Sequence, residues 1–269
     1  MFSTFKWKKA VGVTLAVLGS LALLATIERQ RSIRRCQRIV VRIDDGQPTQ
    51  RLITADDVRR LVTSSEAGPV LKQRLDRLDL KALEARVRSN GLVKECQIAA
   101  DLSGTLTVRV WQHQPIARLI ERRGLGNEAD GYLNAAGEVL PLSEHYAARV
   151  LLVSGPYFDR LPNLTAPRHR ALVELLKYIA TDAFWNAQIA QVMVERDGDV
   201  SLLPQVGNHL IGFGAATEPE AKFRKLKIFY KQIIPSKGWN AYSRVSVRFR
   251  NQLVCEPAAL PAKTNPPNL

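Results

Sequence analysis

The sequence predicts an α+β protein in which two folded parts follow one apolar N-terminal helix. Residues 10–27 contain no charged side chain and would span about 27 Å as a helix, which approaches the hydrocarbon thickness of a bilayer. Residues 38–114 show strand and helix patterns in the order β-α-α-β-β. Residues 115–255 combine short strand patterns with two helical ones. We therefore expect a single transmembrane helix, a small α+β domain and a mixed β domain with two helices.

The apolar segment has two interpretations. Lys6, Lys8 and Lys9 precede it, and Ser20-Leu21-Ala22 has the small-x-small form of a cleaved signal peptide. The apolar run continues past that point to residue 27, which favours an uncleaved transmembrane helix. Five arginines follow it and would favour a cytoplasmic C-terminal side, but long domains cross membranes largely regardless of charge. Local charge therefore leaves the orientation open.

The composition excludes some classes of partner and of site. The net charge is +14, but basic residues are interleaved with acidic ones, so we expect no nucleic acid. Membrane lipid headgroups or an acidic protein partner fit this charge better. Cys36, Cys96 and Cys255 are far apart and have neither disulfide-framework nor metal-ligand spacing.

The first predicted domain contains two capped helices. Thr54 and Asp57 have the spacing of a capping box, and Asp79 precedes a second amphipathic segment that Asn90-Gly91 ends. The strands are expected at residues 39–43, 92–102 and 105–111. Ser103-Gly104 is the expected turn between the last two strands.

The second predicted domain is richer in strands. These are expected at residues 116–121, 131–134, 138–140, 150–154, 188–196, 200–203, 209–213 and 242–254. One helix is expected at residues 167–181, and another begins at a capping box, Thr217–Glu220 in the letters TEPE, and runs to residue 234. Lys222 and Lys225 are expected to face away from its buried side. Residues 256–269 are expected to form a disordered tail.

No catalytic motif is recognisable. His113, His145, His169 and His209 are isolated from one another and from any Cys ligand pair. Ser154 lacks the leading glycine of a nucleophile elbow. We therefore expect no enzymatic activity, no cofactor or metal and no small-molecule substrate.

Five short motifs follow one another across both domains: DLKALE at residues 79–84, NGLVK at 90–94, DLSGTLTV at 101–108, QHQPIAR at 112–118 and YLNAAG at 132–137. In this order and spacing they resemble the FtsQ/DivIB family of bacterial cell-division proteins. Residues 222–230 and 237–252 resemble its Bacteroidetes-type branch. The chain departs from the family at Asn134, where Asp is usual, and at residues 112–114, where a Glu-Arg pair is common.

The resemblance implies a domain order and a location. It gives a cytoplasmic tail (residues 1–9), a transmembrane helix (10–27), a juxtamembrane segment (28–37), a polypeptide-transport-associated (POTRA) domain (38–114), a β domain (115–255) and a tail (256–269). It implies that the N-terminus is cytoplasmic and that both domains are periplasmic. The protein would then be a single-pass inner-membrane protein at the division septum.

The resemblance also implies a function. Members of this family bridge early and late division proteins without catalysis and support septal peptidoglycan synthesis. The implied partners are the FtsB–FtsL pair, with further division proteins at the POTRA domain. The alternative is a POTRA-containing envelope assembly or secretion factor. Such proteins usually carry tandem POTRA repeats, whereas this sequence has one such unit.

The candidate binding site is the terminal strand at residues 242–254. Alternation places one set of residues on the same side, namely Tyr242, Arg244, Ser246, Arg248, Arg250 and Gln252. We expect the main chain, including that of Val247, to pair with an acidic partner segment, because an edge strand leaves N–H and C=O groups unpaired. Tyr242, Arg244 and Arg248 would add specificity. Alternatively, the strand is internal and its arginines are ordinary solvated charges.

Overall fold

The computed structural model describes residues 15, 17–22, 35–44, 51–64, 69–101, 103–120 and 130–258. The expected cytoplasmic tail lies outside these residues, as do most of the expected transmembrane helix and residues 259–269 of the expected tail. Within the described ranges, no helix is both long enough and apolar enough to cross a membrane. The chain divides into two compact units, Met1–Gln112 and His113–Leu269, and each is described by itself.

The first unit is a three-stranded sheet with two helices. The strands are β1 (Arg38–Asp44), β2 (Val93–Ala100) and β3 (Thr105–Gln112), and the helices are α1 (Ala55–Thr63) and α2 (Leu80–Arg88). The strand order is β1-β3-β2, with β1 parallel and β2 antiparallel to β3. The predicted β-α-α-β-β order is therefore confirmed, and a short 3₁₀ turn at Leu75–Arg77 adds to it.

Local sequence signals account for the elements of this unit. Thr54 Oγ1 accepts a hydrogen bond from the N–H of Asp57, and the Asp57 carboxylate accepts one from the N–H of Thr54, which confirms the capping box. Asp79 caps α2 by accepting a bond from the N–H of Ala82 at 3.0 Å. The helices bury one face each against one face of the sheet. The contacting residues are Val58, Val62, Leu83, Val87, Leu106, Val108 and Val110.

The segment before β1 belongs to the first unit. Cys36, expected in a juxtamembrane segment, is fully buried in the core. Its N–H donates to the carbonyl of Gln73 at 2.9 Å, and its carbonyl accepts from the N–H of Lys72 at 2.7 Å. These tertiary contacts extend the folded unit at least to Cys36, so residues 36 and 37 are not a free linker.

The second unit is built on a nine-stranded sheet. Its strands are β4 (Pro115–Leu119), β5 (Gly131–Asn134), β6 (Val139–Leu140), β7 (Leu151–Ser154), β8 (Ile189–Val194), β9 (Val200–Pro204), β10 (Leu210–Gly214), β11 (Tyr242–Ser246) and β12 (Val254–Pro257). The order across the sheet is β12-β11-β10-β9-β8-β7-β4-β5-β6. β12 and β6 are therefore the two edges, and β6 has two residues.

Helices cover one face of this sheet. They are α3 (Arg170–Thr181), α4 (Ala183–Gln188), α5 (Pro219–Ile228) and α6 (Ile234–Lys237), with a π-helical turn at Phe229–Ile233 between the last two. Their apolar residues and one face of the strands form a single core. The α+β architecture with mixed sheet and helices was predicted, but α4 was not. Asp182 caps α4 through the N–H groups of Phe184 and Trp185.

Two predictions about α5 were wrong. Glu218 has a left-handed backbone (φ 52°), and no side chain caps the helix, so residues 217–220 do not form a capping box. Lys222 is buried instead of facing solvent, because its Nζ donates to the carbonyl of Ala215 at 2.5 Å and lies 4.7 Å from the centre of the Phe213 ring.

The prediction of one strand over residues 242–254 was also wrong. β11 ends at Ser246, the chain turns, and β12 returns antiparallel to β11. The turn contains Asn251, whose φ of 59° lies in the left-handed region that Asn tolerates. β11 lies between β10 and β12, so it is an internal strand, and Glu256 and Pro257 belong to β12 instead of to a tail.

Candidate functional site

The candidate site is the outer edge of β12 together with the surface beside it. Among the residues that the structure describes, β12 pairs only with β11, and Val254, Glu256 and Pro257 are exposed. The N–H of Ala258 bonds to the carbonyl of Ala241 at 3.0 Å, on the β11 side. Since main-chain groups alternate along a strand, the N–H and C=O of Cys255 point away from β11. An incoming strand can therefore pair with Cys255, whereas Pro257 offers it no N–H.

The segment of residues 247–253 connects β11 to β12 and is held by one lysine of α5. Lys225 Nζ donates to the carbonyls of Val247 at 2.8 Å, Phe249 at 2.6 Å and Gln252 at 3.2 Å. Three carbonyl oxygens therefore converge on one ammonium group. This arrangement fixes where the chain re-enters the sheet as β12.

A groove of about 610 Å³ separates α5 from this segment. Arg224 and Arg250 line it, and neither forms a hydrogen bond or ion pair with another residue that the structure describes. Exposed Ile228 and Phe249 add apolar surface, and Glu218 is the acidic residue of the lining. The groove is therefore basic and partly apolar, and it lies next to the segment that leads into β12.

Burial lowers the side-chain pKa of two of the three lysines of α5, Lys222 and Lys225. Desolvation lowers the pKa of Lys222, and the nearby charge of Lys225 lowers it further. Desolvation also lowers the pKa of Lys225. Both ammonium groups donate to carbonyls, so the cationic donors of the groove that are not engaged by described residues are those of Arg224 and Arg250.

The structure places the three predicted binding residues of β11 away from a free edge. Tyr242, Arg244 and Ser246 lie between β10 and β12. A register shift between Tyr242 and Arg244 reverses the side that Tyr242 faces, and its ring packs 5.8 Å from that of Phe229. Arg244 lies beside Gly212, and Ser246 is buried.

The other four predicted residues follow β11. Val247 is buried in the core, and Arg248 forms an ion pair with Asp199 at 2.9 Å. Arg250 and Gln252 are exposed in the connecting segment. The structure thus brings Val247, Arg248, Arg250 and Gln252 together at the groove, but not on one face of a strand.

Sequence reasoning missed β12 and Lys225. Asn251 lies within residues 242–254, which were predicted as one strand. It was the available signal for a turn, since Asn adopts a left-handed backbone conformation readily. No local signal indicates Lys225, because its three acceptors are 22 to 27 residues away in the chain.

Three of the residues considered for catalysis, Ser154, His169 and His209, each contact a polar side chain. Ser154 Oγ accepts a hydrogen bond from Gln191 Nε2 at 2.7 Å. His169 contacts the Tyr157 hydroxyl at 2.7 Å, and His209 contacts that of Tyr230 at 3.0 Å. Within the described ranges, no group of three or more His, Cys, Asp or Glu residues could hold a metal ion.

Asn134, a departure from the usual family residue, keeps a turn-forming role. Its Oδ1 accepts hydrogen bonds from the N–H groups of Ala136 and Glu138, both at 3.0 Å. Its Nδ2 donates to Glu138 at 2.7 Å. An aspartate could accept the same main-chain bonds, whereas the bond to Glu138 requires the amide of Asn134.

Comparisons with known proteins agree with this architecture. Residues 34–111 match the model of a POTRA-like domain, and residues 114–256 match the model described as FtsQ/DivIB, C-terminal related. No curated protein matches the chain. The second match alone covers more than half of the chain and includes β11, residues 254–256 of β12 and the groove. The chain therefore belongs to the FtsQ/DivIB family of cell-division proteins.

Proposed function

We propose that the chain is a membrane-anchored, non-enzymatic scaffold of the division machinery that binds the FtsB–FtsL pair through β12. It would thereby bridge early and late division proteins and support septal peptidoglycan synthesis. Membership in the FtsQ/DivIB family supports a role in cell division, and the members of this family are non-enzymatic scaffolds. The partner and the binding mode are inferred from the site.

The open edge of β12 is the observation that carries the proposal. A strand paired on one side offers main-chain groups to an extended partner segment, which gains affinity by joining the sheet. The opposite edge, β6, is two residues long and offers a shorter template. We therefore place the binding edge at β12, one strand beyond the strand that the sequence indicated.

The groove favours a partner with acidic and apolar side chains. Arg224 and Arg250, neither of which has an ion pair with a described residue, supply positive charge, and Ile228 and Phe249 supply exposed apolar surface. A partner chain that leaves β12 on this side would meet both kinds of surface. Such a combination gives specificity through charge and affinity through apolar burial.

The proposed location is the inner membrane at the division septum, with a cytoplasmic N-terminus and periplasmic folded units. It rests on the apolar residues 10–27 and on family membership. Other division proteins would bind the POTRA-like domain.

The experiment that tests the binding mode is the substitution Cys255→Pro, with Cys255→Ala as the matched control. Proline removes the outward N–H of Cys255 while leaving the bonds between β11 and β12 in place, because an edge strand tolerates proline where its N–H faces outward. Both variants lose the same thiol. Binding of a purified FtsB–FtsL complex, measured by biolayer interferometry, should weaken about tenfold in the proline variant.

The alanine variant should bind like the unaltered chain. Thermal melting of both variants confirms that the second unit remains folded. Equal affinities for the proline and alanine variants would exclude strand addition at β12.

A further inference from the structure

β12 is weakly anchored for an edge strand that must present a binding surface. It has four residues and, within the described ranges, one neighbouring strand, and Val254 is 41% exposed. Cys255 is the residue of β12 that packs against the core. Strands with so few buried contacts open locally at a low free-energy cost. Its position therefore depends on the segment that precedes it.

That segment is held at both of its ends by Lys225. The carbonyl of Val247 lies directly after β11, and the carbonyl of Gln252 lies two residues before β12. The carbonyl of Phe249 provides the third contact, in the middle of the turn. A single ammonium group thus closes the turn across its base, and bonds to a charged donor are stronger than neutral ones.

The helix that carries Lys225 is itself firmly placed. Phe223 and Leu226, on either side of Lys225 in the sequence, are buried in the core. The ion pair between Arg248 and Asp199 ties the segment to the β8–β9 turn, but it holds one point only. Val247 is buried, its N–H donates to the carbonyl of Gly212 at 3.0 Å, and Leu253 packs against the core. Between these two ends of the segment, Lys225 is the side chain that joins three of its carbonyls to a firmly placed helix.

We infer that Lys225 is the positioning residue of the β12 edge: it holds β12 in the paired conformation before a partner strand arrives. The identity of the partner, FtsB–FtsL, rests on the proposed function. The effect of Lys225 on the order of β12 is independent of that proposal. Without the ammonium group, β12 would be paired with β11 for only part of the time. The apparent dissociation constant rises in inverse proportion to that fraction, and the change appears in the association rate.

The test compares Lys225→Met with Lys227→Met in the full chain. Methionine keeps an unbranched apolar stem and removes the donors. Lys227 lies on the same helix, is exposed and has no hydrogen bond or ion pair with another described residue, so it controls for lost charge. Amide hydrogen exchange, read by mass spectrometry on a peptide covering residues 250–258, should be about tenfold faster in Lys225→Met. Exchange in Lys227→Met should be unchanged.

Binding of the purified FtsB–FtsL complex supplies the second measurement. The association rate for Lys225→Met should fall about tenfold, with a nearly unchanged dissociation rate. Lys225→Arg keeps a charged donor and should recover part of the loss.

Three outcomes separate the inference from the proposed function. Equal exchange in Lys225→Met and Lys227→Met would overturn the positioning role. Faster exchange with unaltered association would overturn its importance for binding. If the unaltered chain does not bind FtsB–FtsL, the proposed function fails, and the exchange measurement still decides whether Lys225 orders β12.

Discussion

At the scale of single residues, a buried histidine and tyrosine form a neutral pair in the core of the second unit. His209 is fully buried, and its Nε2 lies 3.0 Å from the Tyr230 hydroxyl. Burial lowers the pKa of His209 and raises that of Tyr230 to about 12. Both shifts favour the uncharged forms, so His209 is neutral in the folded state.

This pair predicts a loss of stability in mild acid. Below a pH of about 6.5, His209 becomes protonated in the unfolded chain while it stays neutral in the folded one. Stability therefore falls as the pH drops through that value, by at most about 1.4 kcal/mol per pH unit for one histidine. In urea titrations followed by tryptophan fluorescence, His209→Gln should lessen this dependence between about pH 6.5 and pH 5.

The matched control is His145→Gln, because His145 is exposed. His169, whose pKa burial also lowers, remains in both variants and contributes the same background. An unchanged pH dependence in His209→Gln would contradict the assignment of a buried neutral histidine.

At the scale of secondary-structure elements, two segments share a capping pattern in the sequence, but only one forms a cap. At α1, Thr54 and Asp57 exchange hydrogen bonds as the pattern requires. At α5, Glu218 takes a left-handed conformation, and no side chain caps the helix. The difference arises because α5 is placed by its buried residues Lys222, Phe223 and Leu226, not by its first turn.

This difference predicts unequal costs for the same substitution. Thr54→Ala should lower the unfolding free energy of the first unit by about 1 kcal/mol, since an N-cap hydroxyl contributes about that much. Thr217→Ala should change the stability of the second unit by less than about 0.5 kcal/mol, as exposed residues usually do. Urea unfolding of each variant, with helix content followed by circular dichroism, measures both values. A larger loss in Thr217→Ala would contradict the described α5 start.

Local sequence patterns predicted most helices and strands correctly, because the apolar positions of each pattern are also the ones that are buried in the folded unit. The strand of residues 105–111 alternates apolar and polar side chains, and the caps at Thr54 and Asp79 need only neighbouring backbone groups. The C-terminal hairpin was missed because alternation continues through residues 247–252, where the chain no longer pairs as a strand. Three carbonyls bonded to Lys225 stabilise that turn, and no pattern within the segment encodes a distant lysine.

At the scale of the whole molecule, the cysteines are compatible with an oxidising compartment. Cys36 and Cys96 are buried, and Cys255 is half-buried. Burial raises the pKa of all three, and for Cys96 the negative charge of Glu84 helps to raise it to about 11. A thiol with a raised pKa is a poor nucleophile, so these side chains resist disulfide exchange. Free cysteines therefore do not contradict the proposed periplasmic location.

The final prediction concerns the proposed membrane topology, with an N-terminal anchor and both folded units outside the cytoplasm. Residues 10–27 are followed by both folded units, and the basic residues on either side do not decide the orientation. If these residues form an uncleaved anchor with an external C-terminal side, alkaline phosphatase fused after Leu269 should be active in cells. Deletion of residues 10–27 should abolish that activity.

Mass spectrometry of the membrane fraction should find the intact N-terminal region, whereas a chain shortened by about twenty residues would indicate a cleaved signal peptide. An inactive fusion of the full chain, detected by antibody at normal amounts, would place the folded units in the cytoplasm, where they could not support septal synthesis from the periplasmic side.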